Sequence, residues 1–69
     1  MKRCFAIHNG CPLINADKVR DRSGQQMTFI RFDPPGPGFD GRIVLKRADG
    51  RYVAYPANQV GVTFVWEEE

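Results

Sequence analysis

Cys4, His8 and Cys11 carry the most reactive side chains of this 69-residue chain. On a helix they would fall at i, i+4 and i+7, on one face, where three metal ligands belong. Gly10 and Pro12 oppose a helix there. On a strand Cys4 and His8 stand ~13 Å apart at roughly 3.3 Å per residue. Zinc needs each ligand atom within about 2.0–2.3 Å. A metal site is therefore not expected, and no fourth ligand is evident. The same separation opposes a Cys4–His8 nucleophile and base, which must lie within hydrogen-bond reach. Ser23 is the only serine and His8 the only histidine. Nothing in the spacing joins them with Asp17 or Asp21 into a triad. Asp33 and Asp40 flank a proline-rich stretch, where aspartates ordinarily cap turns. Gly36, Gly38 and Gly41 lack the Lys-Ser/Thr that completes a phosphate loop. No enzyme chemistry and no cofactor is expected.

Binding chemistry is better represented. Lys46, Arg47, Arg51 and Tyr52 bracket Ala48-Asp49-Gly50, interleaving cations with an aromatic ring. Small β-domains bind nucleic acid with such groups, and like charges facing each other also suit an acidic protein partner. Asp33-Pro34-Pro35-Gly36-Pro37-Gly38-Phe39-Asp40-Gly41 holds three prolines and three glycines in nine residues. That composition excludes regular structure. A loop this long in so small a chain is often functional. Phe39 is its one large apolar residue, beside Pro37, and is expected to stand exposed as an anchor. Folding back over the core is the alternative.

The elements that must position these groups are strands. Valine, isoleucine, phenylalanine and tyrosine are plentiful, and no apolar stretch keeps a helical period over ten residues. Lys2 to His8 predicts a strand with Phe5 and Ile7 on one face and Cys4, Ala6 and His8 on the other. Asn9-Gly10 and Pro12 mark a turn. Ile14 to Arg22 is either a short helix capped by Asn15, with Ile14 and Val19 at staple spacing, or a strand over Lys18–Arg22 leading to a Ser23-Gly24 turn. The strand is preferred. Gln25 to Phe32 predicts a strand in which Thr28, Ile30 and Phe32 alternate with Met27, Phe29 and Arg31.

Two short apolar strands flank Asp49-Gly50. A two-residue loop would place Ile43 and Leu45 on the face of Tyr52, Ala54 and Pro56. A three-residue loop pairs Arg47 with Arg51 and joins Ile43, Leu45, Val53 and Tyr55 into one apolar face. It leaves Val44, Lys46, Tyr52 and Ala54 outward and needs Gly50 in the left-handed region. The three-residue loop is expected. Pro56 should end the strand. A short 3₁₀ turn and a last strand from Val62 to Trp66 follow.

Strand, tight hairpin, strand, proline turn and strand over residues 41–66 resemble the second half of a Src-homology-3-like barrel. Members of that family often carry Pro-x-Asn-Tyr-Val where this chain has Pro56-Ala57-Asn58-Gln59-Val60. The resemblance implies an all-β, five- or six-stranded barrel with a 3₁₀ turn before the last strand. Gln59 replaces the tyrosine, an acidic tyrosine-rich first strand is missing, and so is a tryptophan early in the central hairpin. Proline-rich peptide binding is therefore not implied.

One domain over residues 1–69 is expected from length. A chain of this size buries roughly 60% of its unfolded surface, so homo-oligomerisation or a partner would add stability. Net charge is +2, but three of the eight acids are the tail Glu67-Glu68-Glu69. The ten cations and five acids before it leave +5, a mild bias towards polyanions. The tail reads as a solvated end. Ile43-Val44-Leu45 is far too short for a membrane span, and two cysteines without a signal peptide point to a reducing, cytoplasmic setting. The expected function is a non-enzymatic module, an adaptor or modulator docking on a protein through Pro37, Phe39, Lys46, Arg47, Arg51 and Tyr52. Its size suits a bacterial or bacteriophage accessory protein. A nucleic-acid-binding accessory domain in transcription or translation is the main alternative. An enzyme built as an oligomeric barrel around a shared centre is a third, with no motif to carry it.

Overall fold

Alternating apolar residues and frequent turn signals give this chain antiparallel strands and, among the described residues, no α-helix. The computed structural model describes residues 1–68. Among them seven strands run β1 (Lys2–His8), β2 (Cys11–Pro12), β3 (Lys18–Arg20), β4 (Gln26–Asp33), β5 (Arg42–Lys46), β6 (Tyr52–Pro56) and β7 (Val62–Glu68). A 3₁₀ turn, Ala57–Gln59, joins β6 to β7. Residues 14–22 contain no helix: β3 takes the strand alternative, and Asn15 donates its side-chain amide to the Ile30 carbonyl instead.

The strands form two sheets, ordered β2-β1-β7 and β3-β4-β5-β6. Among the described residues no strand is shared between them, so the sheets do not close into the expected barrel of five or six strands. Closure needs a strand long and bent enough to pair in both sheets. Here β4 ends at Asp33, just before Pro34-Pro35, and among the described residues pairs only with β3 and β5.

One cluster fills the space between the sheets. Ala6 and Val62 come from the first sheet, Val19, Met27, Phe29, Ile43 and Leu45 from the second, and Ala57 and Val60 from the connecting turn. Phe32 bridges the sheets at one end, its ring 6.4 Å from Phe29 and 5.7 Å from Phe64. Burying such side chains contributes about 1.5–3 kcal/mol each.

The central hairpin takes the three-residue loop. Lys46 pairs with Tyr52, Leu45 with Val53 and Ile43 with Tyr55. Arg47 donates its backbone N–H to the Arg51 carbonyl (2.8 Å), Gly50 donates to Arg47 (2.9 Å), and Gly50 has φ +89°.

β4 departs from simple alternation. Phe29 pairs with Leu45, but the next partners are Arg31 and Val44, leaving Ile30 as an extra residue in a β-bulge. A bulge changes the parity of everything after it. Phe32 thereby turns to the core and Arg31 to the outer face, the reverse of the straight alternation expected. Asn15 and the backbone N–H of Ala16, which donates to the Phe29 carbonyl, brace the bulge from the side.

The proline-rich stretch holds more order than its composition implies. Asp33 completes β4, and Gly36 and Phe39 exchange backbone hydrogen bonds of 2.8 and 3.0 Å around Pro37-Gly38. Proline followed by a glycine at φ +72° is the pairing a type II turn requires. The acidic end is also ordered: Glu67 and Glu68 extend β7 opposite Arg3 and Lys2. Opposite charges across strands favour the pairing. Glu69 lies outside the described residues.

Candidate binding face on the four-stranded sheet

Across β3-β4-β5-β6 the strand registers place residues in rows. Lys18, Thr28, Lys46 and Tyr52 form one continuous row across all four strands. Because Val19, Met27, Phe29 and Leu45 are buried, alternation turns this row to the outer face. Lys18 Nζ donates to Thr28 Oγ1 (3.0 Å), and Lys46 Nζ sits 5.9 Å from the centre of the Tyr52 ring. That is within cation–π range, and Tyr52 is 64% exposed. A depression of about 300 Å³ lies beside the row, lined by Lys18, Gln26, Thr28 and Lys46 among others.

The neighbouring rows extend the same chemistry. Arg20 pairs with Gln26 on one side; Arg31, Val44 and Ala54 lie on the other, followed by Asp33, Arg42 and Pro56. Among the described residues the face thus carries five cations, Lys18, Arg20, Arg31, Arg42 and Lys46. Its one carboxylate there, Asp33, accepts hydrogen bonds from both Arg42 and Arg31. These contacts, that from Arg42 foremost, hold its pKa below the usual carboxylate range.

The residues singled out from the sequence divide into groups. Lys46 and Tyr52 belong to this face. Arg47 points to the opposite side, half-buried, and the Tyr55 hydroxyl beside its guanidinium raises its pKa further. Arg51 is exposed at the hairpin tip, 3.9 Å from the Asp49 carboxylate. Pro37 and Phe39 occupy the tight turn before β5, at the other end of that strand. The span of β5 alone, Arg42 to Lys46, is roughly 13 Å. Phe39 is 43% exposed and stands outside the core cluster.

No family model, curated protein or solved structure matches this chain.

Lys18, Arg20, Arg31 and Arg42 escaped the sequence reading as binding residues. The alternation Lys18-Val19-Arg20 around a buried valine carried a signal for the first two. Arg31 carried none, because the Ile30 bulge sets its direction. Of the reactive residues found at the sequence level, only His8 and Cys11 come together, as a cross-strand pair, and Cys4 does not join them. Cys4 lies opposite Trp66, His8 opposite Cys11, and both cysteines are free. Among the described residues no three His, Cys, Asp or Glu side chains are placed to hold a metal ion. Burial raises the Cys4 pKa, which suppresses its thiolate. Asp21 accepts from the Ser23 hydroxyl (2.6 Å) and from the backbone N–H of Ser23 and Gln25. That contact builds the turn, while His8 lies in the other sheet. Among the described residues no helix is long and apolar enough to cross a membrane.

Proposed function

We propose that this protein is a non-catalytic binding module whose outer four-stranded face takes single-stranded nucleic acid. The row Lys18–Thr28–Lys46–Tyr52, flanked by Arg20, Arg31 and Arg42, is the observation that carries it. Cations spaced along a sheet track a phosphate backbone, and an exposed tyrosine offers a stacking platform. β1 against β7, the β4-β5-β6 meander and the 3₁₀ turn support an open relative of the Src-homology-3-like arrangement. We place the module in the cytoplasm, where its two thiols stay reduced.

The test is fluorescence anisotropy with a labelled single-stranded oligonucleotide over a salt series. Affinity should fall with salt, and Lys18→Ala with Lys46→Ala should lower the slope by about 0.7 for each phosphate no longer neutralised. Tyr52→Ala should cost about 1–3 kcal/mol of binding. Absence of binding at low salt, or binding indifferent to these changes, refutes the assignment.

A second mode, an adaptor or modulator docked on a protein partner, is favoured by the exposure of Phe39 on a turn stiffened by Pro37. An aromatic ring presented on a pre-ordered turn loses little entropy on entering a pocket. Phe39→Ala should then weaken capture of such a partner by ~2 kcal/mol or more, while oligonucleotide affinity stays unchanged.

A further inference from the structure

The two sheets have four edge strands, and three are protected. β2 is two residues long and ends in Pro12. β3 is three residues long, with Lys18 and Arg20 around Val19. β6 ends in Pro56. Short length, cations and proline are the ordinary means by which an edge resists pairing. β7 has none of them over Val62–Trp66: it runs for seven residues without proline, and its charges begin only at Glu67. Among the described residues its strand neighbour is β1 alone, and no backbone hydrogen bond reaches β7 from a loop or turn. Alternate N–H and C=O groups of β7 therefore face outward from the sheet. Apolar groups are exposed beside them, Val65 at 37% and Trp66 at 47%.

We propose that this edge pairs with the β7 edge of a second copy of the chain. The two strands run antiparallel about a two-fold axis and give one six-stranded sheet, β2-β1-β7-β7-β1-β2. The pattern of β7, apolar over Val62–Trp66 and acidic at one end only, is self-complementary when a second copy is reversed against it, and charge sets that sense. Glu67 and Glu68 close one end of β7. Antiparallel pairing centred on Phe64, the middle of the apolar stretch, sets Thr63 of each copy opposite Val65 of the other and sends the two acidic pairs to opposite ends of the new ladder. Parallel pairing would set them side by side, which is destabilising. A two-fold axis lets one patch complement itself. The side-chain faces also match. Thr63 and Val65 of both copies continue the face that carries Phe5 and Ile7, and Phe64 and Trp66 continue the other. The basic face lies on the other sheet, so the dimer and the oligonucleotide site stand or fall separately.

Sedimentation equilibrium of the full chain, from micromolar to near-millimolar concentration, should show a doubled mass. Thr63→Lys with Val65→Lys sets like charges across the new ladder and should weaken association by about tenfold or more, with an unchanged far-ultraviolet circular dichroism spectrum. A monomer at every concentration overturns the proposal and leaves the edge to a strand from another protein. A dimer of undiminished affinity in the lysine variant also overturns it. Should that variant fail to fold, hydrogen exchange on the unaltered chain decides. Amides of residues 62–68 that slow with rising concentration support the dimer; slowing elsewhere, or none, refutes it.

Discussion

Gly41 is the glycine with the least room for a side chain. It is buried at φ +85°, and a Cβ there would lie 2.4 Å from Phe64 Cε2 and 3.1 Å from the Asp33 carbonyl oxygen. Gly41→Ala combines left-handed strain with displacement of a core ring and should cost about 2–4 kcal/mol. Gly50 separates the two effects. Its φ is +89°, yet a Cβ would meet nothing within 4 Å. Gly50→Ala should cost only about 1 kcal/mol, the backbone contribution. Thermal melts of the two variants check the ordering; equal losses would show that Phe64 yields without cost. Phe39→Ala should leave stability within about 0.5 kcal/mol of the parent, as an exposed ring outside the core allows. A fall of several kcal/mol would return Phe39 to the core.

At the level of elements, the Ile30 bulge decides what β4 presents. Deleting Ile30 removes the extra residue, so that Phe29 is followed by Arg31 in straight alternation, with Arg31 still outward and Phe32 still in the core. The deletion should therefore keep cooperative melting, as should Ile30→Ala, which keeps the extra backbone unit. In a strand without a bulge the same deletion would turn Phe32 out and Arg31 into the core, so loss of cooperative melting on deletion would refute the bulge. The contrast also explains what could be read from the sequence. β1 and the β5–β6 register were legible because turn chemistry and alternation fix them locally: only a left-handed Gly50 joins Ile43, Leu45, Val53 and Tyr55 on one face. The bulge was not legible, since it depends on β5 pairing and on bracing by Asn15 and Ala16, well over ten positions away in sequence. The separation of the sheets was hidden for the same reason, being a matter of which distant strands meet. Most of the basic face was hidden with it, because Arg31 reaches that face only through the bulge, and Lys18 and Arg20 join Lys46 only once β3, β4 and β5 are in register.

For the whole molecule, acid is the informative variable. Asp21 and Asp33 both have pKa values below the usual range, Asp21 chiefly through the Ser23 hydroxyl and Asp33 through Arg42. A depressed folded pKa contributes stability above the unfolded value of about 3.9, and that stability is lost as pH falls through the folded value. Melting temperature should therefore hold steady from neutral pH to about pH 5 and fall below about pH 4. The fall should be shallower in Asp21→Asn and Asp33→Asn. An acid limb identical in all three proteins would show that neither carboxylate is linked to folding.

The Asp33 clamp couples the proposed ligand to protons. Arg31 and Arg42 each donate to Asp33, and both lie on the face offered to phosphates. A polyanion that draws these guanidinium groups away removes the contacts holding Asp33 ionised and adds negative charge beside it. The carboxyl pKa must rise as a result, so binding near pH 4 should take up a fraction of a proton, and binding near pH 8 should take up none. Calorimetric titration in two buffers of different ionisation enthalpy reads that uptake as a difference in heat. Asp33→Asn should erase the difference while leaving binding intact. An equal uptake in the asparagine variant would place the titrating group elsewhere on the molecule.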